Sequence, residues 1–133
     1  MRFVYVLAAL AAAASASFTN KCQSCHLIIN KAEAGVMGCD CFNDSNQLVG
    51  STLRLSTCFA NSNGKLIPQA NGNFVKSCSV ESLFPSSQRS LFLSVKCNDN
   101  SGNIQSGSFD INAGSTITSV NGVMKCFGQG GPN

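Results

Sequence analysis

Phe74-Val75-Lys76-Ser77-Cys78 repeats the pattern of Phe18-Thr19-Asn20-Lys21-Cys22, Phe-x-x-x-Cys, at a distance of 56 residues. The likeness runs well beyond five positions. At the same shift Leu27 falls on Leu83, Ile28 on Phe84, Met37 on Leu93, Cys41 on Cys97, Leu48 on Ile104, Leu53 on Phe109 and Leu55 on Ile111. The second copy then gains two residues, and at a shift of 58 Phe59 falls on Ile117, Asn63-Gly64 on Asn121-Gly122 and Leu66 on Met124. Apolar positions and cysteines keep register over most of the chain, so the sequence is a tandem duplication of a unit of about 50 residues. Repeat one runs over about 18–67 and repeat two over about 74–126. Two copies are too few for an open solenoid, so they are expected to close into one domain.

The duplication leaves out the N-terminus. Arg2, the apolar run from Phe3 to Ala14 and the small residues Ala14-Ser15-Ala16 form the pattern of a secretory signal peptide, residues 1–16. The run is too short for a membrane-spanning helix, which needs about 20 apolar residues. The expected domain is residues 17–133, secreted and extracellular. Without Arg2 its formal charge falls from +3 to +2. No basic run is present, which argues against nucleic acid and anionic membranes as partners.

Within the repeats the patterning is that of strands. Leu91, Leu93 and Val95 alternate with Phe92, Ser94 and Lys96, as do Leu53, Leu55 and Thr57, and Phe109 and Ile111. Turn signals punctuate them at Asn43 to Asn46, Asn61 to Gly64, Asn71-Gly72, Asn98 to Gly102 and Asn121-Gly122. Short helical turns are expected after Ser56 and Asn112, as N-caps.

All eight cysteines follow the leader, which suits disulfides in an oxidising compartment. Cys22 and Cys41 are 19 apart, as are Cys78 and Cys97, so symmetry pairs each couple. Cys25–Cys39 nests inside the first loop with nearly the constant sum of an antiparallel hairpin. Cys58–Cys126 follows by exclusion. Two other readings stand beside this one: four zinc thiolates from Cys22, Cys25, Cys39 and Cys41, or a redox pair at Cys22 and Cys25. Repeat two keeps only the equivalents of Cys22 and Cys41, which favours plain staples.

Nothing in the chain points to an enzyme or a cofactor. His26, the only histidine, lies beside a cysteine expected to be oxidised. Asp44 and Asp99 fall in different copies, so they do not flank one bond as a glycosidase pair would. A rigid, nearly neutral β domain rich in Asn and Ser turns is suited to glycans, because amides and hydroxyls match the paired donors and acceptors of sugars. The mature chain has no Trp or Tyr on which a sugar ring could stack.

A family resemblance rests on these same residues. Phe74-x-x-x-Cys78, Leu93 to Cys97, Ser108-Phe109-Asp110-Ile111-Asn112 and Ile117 to Lys125 resemble one repeat of the cyanovirin-N homology family. Phe18-x-x-x-Cys22, Cys41, Leu53-Arg54-Leu55 and Asn61 to Leu66 resemble the other. The resemblance implies an all-β, pseudo-symmetric fold in which each repeat supplies a three-stranded sheet and a β-hairpin, and the halves exchange elements. It implies a lectin for mannose-type glycans, with a site at each end and no metal.

The implied first-lobe residues are Asn20, Lys21, Asn43, Asp44, Ser119 and Asn121. Those of the second lobe are Asn61, Asn63, Asn73, Lys76, Ser77, Asn98, Asp99, Asn100 and Gly102. Ala60, Asn98 and Asn100 are neutral where family sequences carry charge, and Lys76 stands where they can carry an acid. The connector from Ile67 to Gly72 leaves a monomer or a domain-swapped dimer open. Asn43-Asp44-Ser45 is a glycosylation sequon inside the first-lobe set. The rival expectation is a secreted interaction or effector protein that keeps the fold and binds a protein.

Overall fold

The structure, a computed structural model, describes residues 18–28, 35–87 and 90–130. The signal peptide expected at residues 1–16 lies outside these residues. Repeat one supplies an antiparallel sheet of β1 (Cys22–Leu27), β2 (Val36–Phe42) and β3 (Leu48–Arg54), then a hairpin of β4 (Phe59–Ser62) and β5 (Lys65–Pro68). Repeat two supplies β6 (Cys78–Ser87), β7 (Ser90–Asn98) and β8 (Ile104–Asp110), then a hairpin of β9 (Ile117–Val120) and β10 (Val123–Cys126). A two-residue strand, β11 (Gln129–Gly130), extends the second hairpin. The all-β, two-repeat architecture is therefore as the sequence implies.

The Phe-x-x-x-Cys pattern has a structural reason. In each copy it forms a 3-10 turn, Phe18–Asn20 and Phe74–Lys76. The turn drops its phenylalanine into the core, with Phe18 1 % and Phe74 0 % exposed, and delivers its cysteine to the first residue of a strand. The common core then collects Met37, Leu53, Leu55, Leu93, Ile111, Ile117 and Met124 from both repeats. β7 has the expected alternation: Leu91, Leu93, Val95 and Cys97 are buried, and their neighbours look outward.

Two strand readings run too far. Leu55 to Thr57 forms a 3-10 turn, and Ile111 lies just beyond β8. Both Leu55 and Ile111 are buried, so alternation registered their burial without registering the end of the strand. Ser56 does not cap its turn. It lies inside it, and Thr57 Oγ1 donates to the Arg54 carbonyl at 2.7 Å. Asn112 precedes the turn Ala113–Ser115 as expected, but its side chain gives no cap; its Nδ2 donates to Thr19 Oγ1 at 2.9 Å, across the two repeats.

All four expected disulfides are formed: Cys22–Cys41, Cys25–Cys39, Cys78–Cys97 and Cys58–Cys126. No free cysteine remains among the described residues; Cys22 and Cys25, the pair of the redox reading, are each bonded to another partner, and so are all four cysteines of the zinc reading. Cys22 pairs with Cys41 and Cys78 with Cys97 at the starts of matching strand pairs. Each pair is followed by a register shift, between Gln23 and His26 and between Val80 and Ser82. In repeat one Cys25 lies in that bulge and is stapled to Cys39; Glu81 and Val95 hold the matching places in repeat two. His26 is exposed, with Nδ1 3.0 Å from the Ser24 carbonyl, and has no thiol to activate.

Candidate functional site: two lobes on one backbone frame

At each end of the molecule the turn of a three-stranded sheet meets a hairpin supplied by the other repeat. In the second lobe the β7–β8 turn meets the β4–β5 hairpin, and Asn63 Oδ1 accepts the Asn100 N–H at 2.8 Å. In the first lobe the β2–β3 turn meets the β9–β10 hairpin, and Asn121 Oδ1 accepts the Asp44 N–H at 2.8 Å. Both hairpin turns need positive φ at two successive residues: 51° and 93° at Asn63-Gly64, 51° and 84° at Asn121-Gly122. Asn-Gly adopts these values readily. The glycines also touch the facing sheet. A Cβ on Gly64 would lie 2.7 Å from Gln105 Cγ, and one on Gly122 2.5 Å from Val49 Cγ2.

The sheet turns match as well. Asp99 Oδ1 accepts the Ser101 and Asn103 N–H groups, both at 2.9 Å. Asn43 Oδ1 accepts those of Ser45 and Gln47 at 3.0 and 2.9 Å. Asp99 has a second oxygen, which accepts Gln105 Nε2 at 2.8 Å. That bond first, and then the backbone donors, hold the Asp99 carboxyl below its ordinary value of 3.8.

The lobes part at the side chains above this frame. Asn61 Nδ2 donates to Ser77 Oγ at 2.8 Å and to the Asn98 carbonyl at 2.9 Å, while its Oδ1 accepts the Gly64 N–H at 2.7 Å. One amide thus joins the hairpin, the 3-10 turn and β7. Ser119 holds the matching place in the first lobe. It is 8 % exposed, and its Oγ has no hydrogen-bond partner among the described residues.

A surface cleft of about 290 Å³ opens beside the Asn61 network, lined by Lys76, Ser77, Cys78, Ser79, Lys96, Asn98 and Ile104. Of the nine expected second-lobe residues, Lys76, Ser77 and Asn98 line it. Asn61, Asn63, Asp99 and Asn100 build the frame beside it, and Gly102 closes the turn with its N–H on the Asp99 carbonyl at 3.0 Å. Asn73 falls outside the cleft lining. It has φ of 53° ahead of the 3-10 turn, and its N–H donates to the Ser56 carbonyl at 2.7 Å.

In the first lobe Asn43, Asp44 and Asn121 are brought together, Lys21 is tied through its carbonyl to the Phe42 N–H at 2.9 Å, and Asn20 is exposed on the preceding 3-10 turn. The sequence reading missed Lys96, Ser79, Ile104 and Gln105. Period two was the available signal for Lys96, which shares a face of β7 with Asn98 and pairs with Ser79.

Duplicated β proteins with hairpins exchanged between halves, disulfide-stapled sheets and an Asn-Gly frame at each end form a recognisable class. The CVNH domain model matches residues 18–125, and the chain belongs to that family. Among solved structures, the CVNH protein of Gibberella zeae is 19 % identical with a TM-score of 0.67, over 82 % of this chain and 95 % of that one. A microvirin–mannobiose complex is 20 % identical with a TM-score of 0.61, over 83 % of this chain and 97 % of that one. A MoCVNH3 variant in complex with (N-GlcNAc)4 is 10 % identical with a TM-score of 0.63, over 82 % of this chain and 95 % of that one. At these identities the likeness is one of fold. No curated protein matches the sequence.

Proposed function

We propose that the protein is a secreted, non-catalytic lectin that binds mannose-type glycans at its second lobe, through hydrogen bonds and without metal. The observation that carries this reading is the Asn61–Ser77–Asn98 network beside the cleft. It fixes hydroxyl and amide groups in place before a ligand arrives, which lowers the ordering cost of binding. Neighbouring sugar hydroxyls act as donor and acceptor at once, and the Ser77 hydroxyl and Asn98 amide can meet them in both roles. Family membership and the sugar complexes of microvirin and the MoCVNH3 variant support the same class of ligand.

A second reading of the ligand has its own observation. Lys76 and Lys96 flank the cleft, and no carboxylate lines it. A mannose-type glycan bearing phosphate or sulfate would gain two charge-assisted contacts there.

The test is a glycan array on the oxidised mature chain, made in a host that does not glycosylate, repeated at low and high salt. Neutral mannose-terminated glycans are expected to bind, with loss in Ser77→Ala and Asp99→Ala and retention in Asp44→Ala. Binding confined to charged glycans and abolished by salt selects the second reading. A silent array from folded protein without free thiols sinks both and leaves the protein-binding alternative.

A further inference from the structure

We propose that Asn43 carries an N-linked oligosaccharide whose first sugars cover an apolar collar on the first lobe, leaving the second lobe open. The proposal rests on the secretion included in the reading above, and not on sugar binding. Asn43-Asp44-Ser45 is the one Asn-x-Ser/Thr sequence in the chain.

The structure divides the Asn43 amide into two roles. Its Oδ1 holds the turn through the Ser45 and Gln47 N–H groups. Its Nδ2 donates a long, exposed bond of 3.4 Å to Gln47 Oε1. A sugar on Nδ2 leaves the carbonyl and one N–H in place, so the turn tolerates the modification. The matching residue in repeat two is Asp99, which has no amide nitrogen. One residue difference between the repeats thus confines the modification to one lobe.

The surroundings of Asn43 argue for what the sugar does. Phe42, Leu48, Val49, Val120 and Val123 are each 37–54 % exposed. They flank the two turns of this lobe: Phe42 pairs with Leu48 on one face of the β2–β3 ladder, Val49 Cγ2 and Asn43 Cβ lie against Gly122 on the other, and Val120 pairs with Val123 on the hairpin. The matching residues of the second lobe are Asn98, Ile104, Gln105, Ser62 and Lys65, four of them polar. Exposed apolar side chains gathered at one end of a molecule are suited to a covering contact. An oligosaccharide anchored among them is the occupant, because N-acetylglucosamine offers C–H faces and a methyl group to the valines and its hydroxyls to water.

The covalent step uses a lipid-diphosphate-linked oligosaccharide and the host's oligosaccharyltransferase. The Nδ2–C1 bond forms and the bond from C1 to the diphosphate oxygen breaks. Its electron pair leaves with the lipid diphosphate, and Nδ2 yields one proton to the enzyme. No oxidant or reductant is needed.

The experiment expresses the full chain in a eukaryotic secretory host and weighs the protein from the medium and from the cells. Wild type is expected to carry the mass of one oligosaccharide, and Ser45→Ala and Asn43→Gln to lose it. Ser45→Ala keeps the Asn43 turn, so it isolates the sugar from the frame. Its uptake of a hydrophobic dye is expected to exceed that of the glycosylated wild type and to fall again in Ser45→Ala/Leu48→Ser/Val120→Ser. Unmodified wild-type mass in both fractions overturns the proposal, and equal dye uptake with and without sugar overturns the collar's role. Retention on a mannose column reads the lectin proposal separately, so either can fail while the other stands.

Discussion

At one end of the molecule the Asn61 amide joins three elements; at the other, Ser119 holds the matching place and its hydroxyl has no partner among the described residues. Yet the backbone frames under them agree, with the hairpin asparagine 2.8 Å from the facing turn in both lobes. What the repeats share is what the fold requires: buried phenylalanines, strand-opening cysteines and side chains that satisfy turn N–H groups. What they do not share lies above that frame, where a ligand or a modification is free to set the residue. Internal duplication therefore separates scaffold from site inside one chain.

The largest expected effect concerns the bonds that repeat two lacks or shares. Cys58–Cys126 spans 68 residues and joins the two repeats. In the chain-entropy view a closure of that length contributes about 4 kcal/mol. Cys25–Cys39 spans 14 residues and is nested within Cys22–Cys41, whose loop is already closed. Urea unfolding of the oxidised variants should therefore show a loss of about 4 kcal/mol for Cys58→Ala/Cys126→Ala and about 2 kcal/mol for Cys25→Ala/Cys39→Ala. Equal losses would break the comparison, because repeat one would then depend on a staple that repeat two does without.

The pairings of these bonds were legible in the sequence because symmetry and period constrain them. So was the fold, since burial recurs at 56 and then 58 residues. The ends of elements were less so: Leu55 and Ile111 keep the apolar rhythm of a strand after the ladder has stopped. The site was half legible. Asx and Asn-Gly positions declare themselves through turn chemistry, but Lys96 and Gln105 act through cross-strand neighbours that only the register supplies. Ser119 was named for the first lobe through the family resemblance, but its burial was not legible, because a serine does not declare itself as a core residue until the hairpin packs.

A smaller effect should have opposite signs in the two lobes. Asn61→Ala removes bonds to Ser77 and Asn98 and strips the Gly64 N–H of its acceptor, for a loss of about 1–3 kcal/mol. Ser119→Ala removes a buried hydroxyl without a partner and is expected to be neutral or to stabilise by up to about 1 kcal/mol. Thermal unfolding of the two variants side by side reads both. Destabilisation by Ser119→Ala would mean that the first lobe uses this hydroxyl after all.

The smallest effect is a pH response of the side chain that holds the sheet turn, a carboxylate in one lobe and an amide in the other. Asp99 holds its turn as a carboxylate, and its folded value lies below the ordinary 3.8 because Gln105 and backbone N–H groups donate to it. A carboxyl depressed by folding adds stability that is complete above the unfolded value and is lost as pH falls through the lower, folded one. The Asn43 amide makes the same two backbone bonds and does not titrate there. In an Asp44→Asn background, which removes the carboxyl next to Ser45, an acid titration followed by amide NMR should thus move the Ser101 and Asn103 signals below about pH 4 and leave those of Ser45 and Gln47 in place. Asp99→Asn should abolish the response while keeping the turn, since its amide oxygen can replace Oδ1. Gln105→Ala should raise the midpoint toward the ordinary value, because it removes the donor to the second oxygen without touching the turn. A response of equal size in both lobes would place the titrating group outside Asp99.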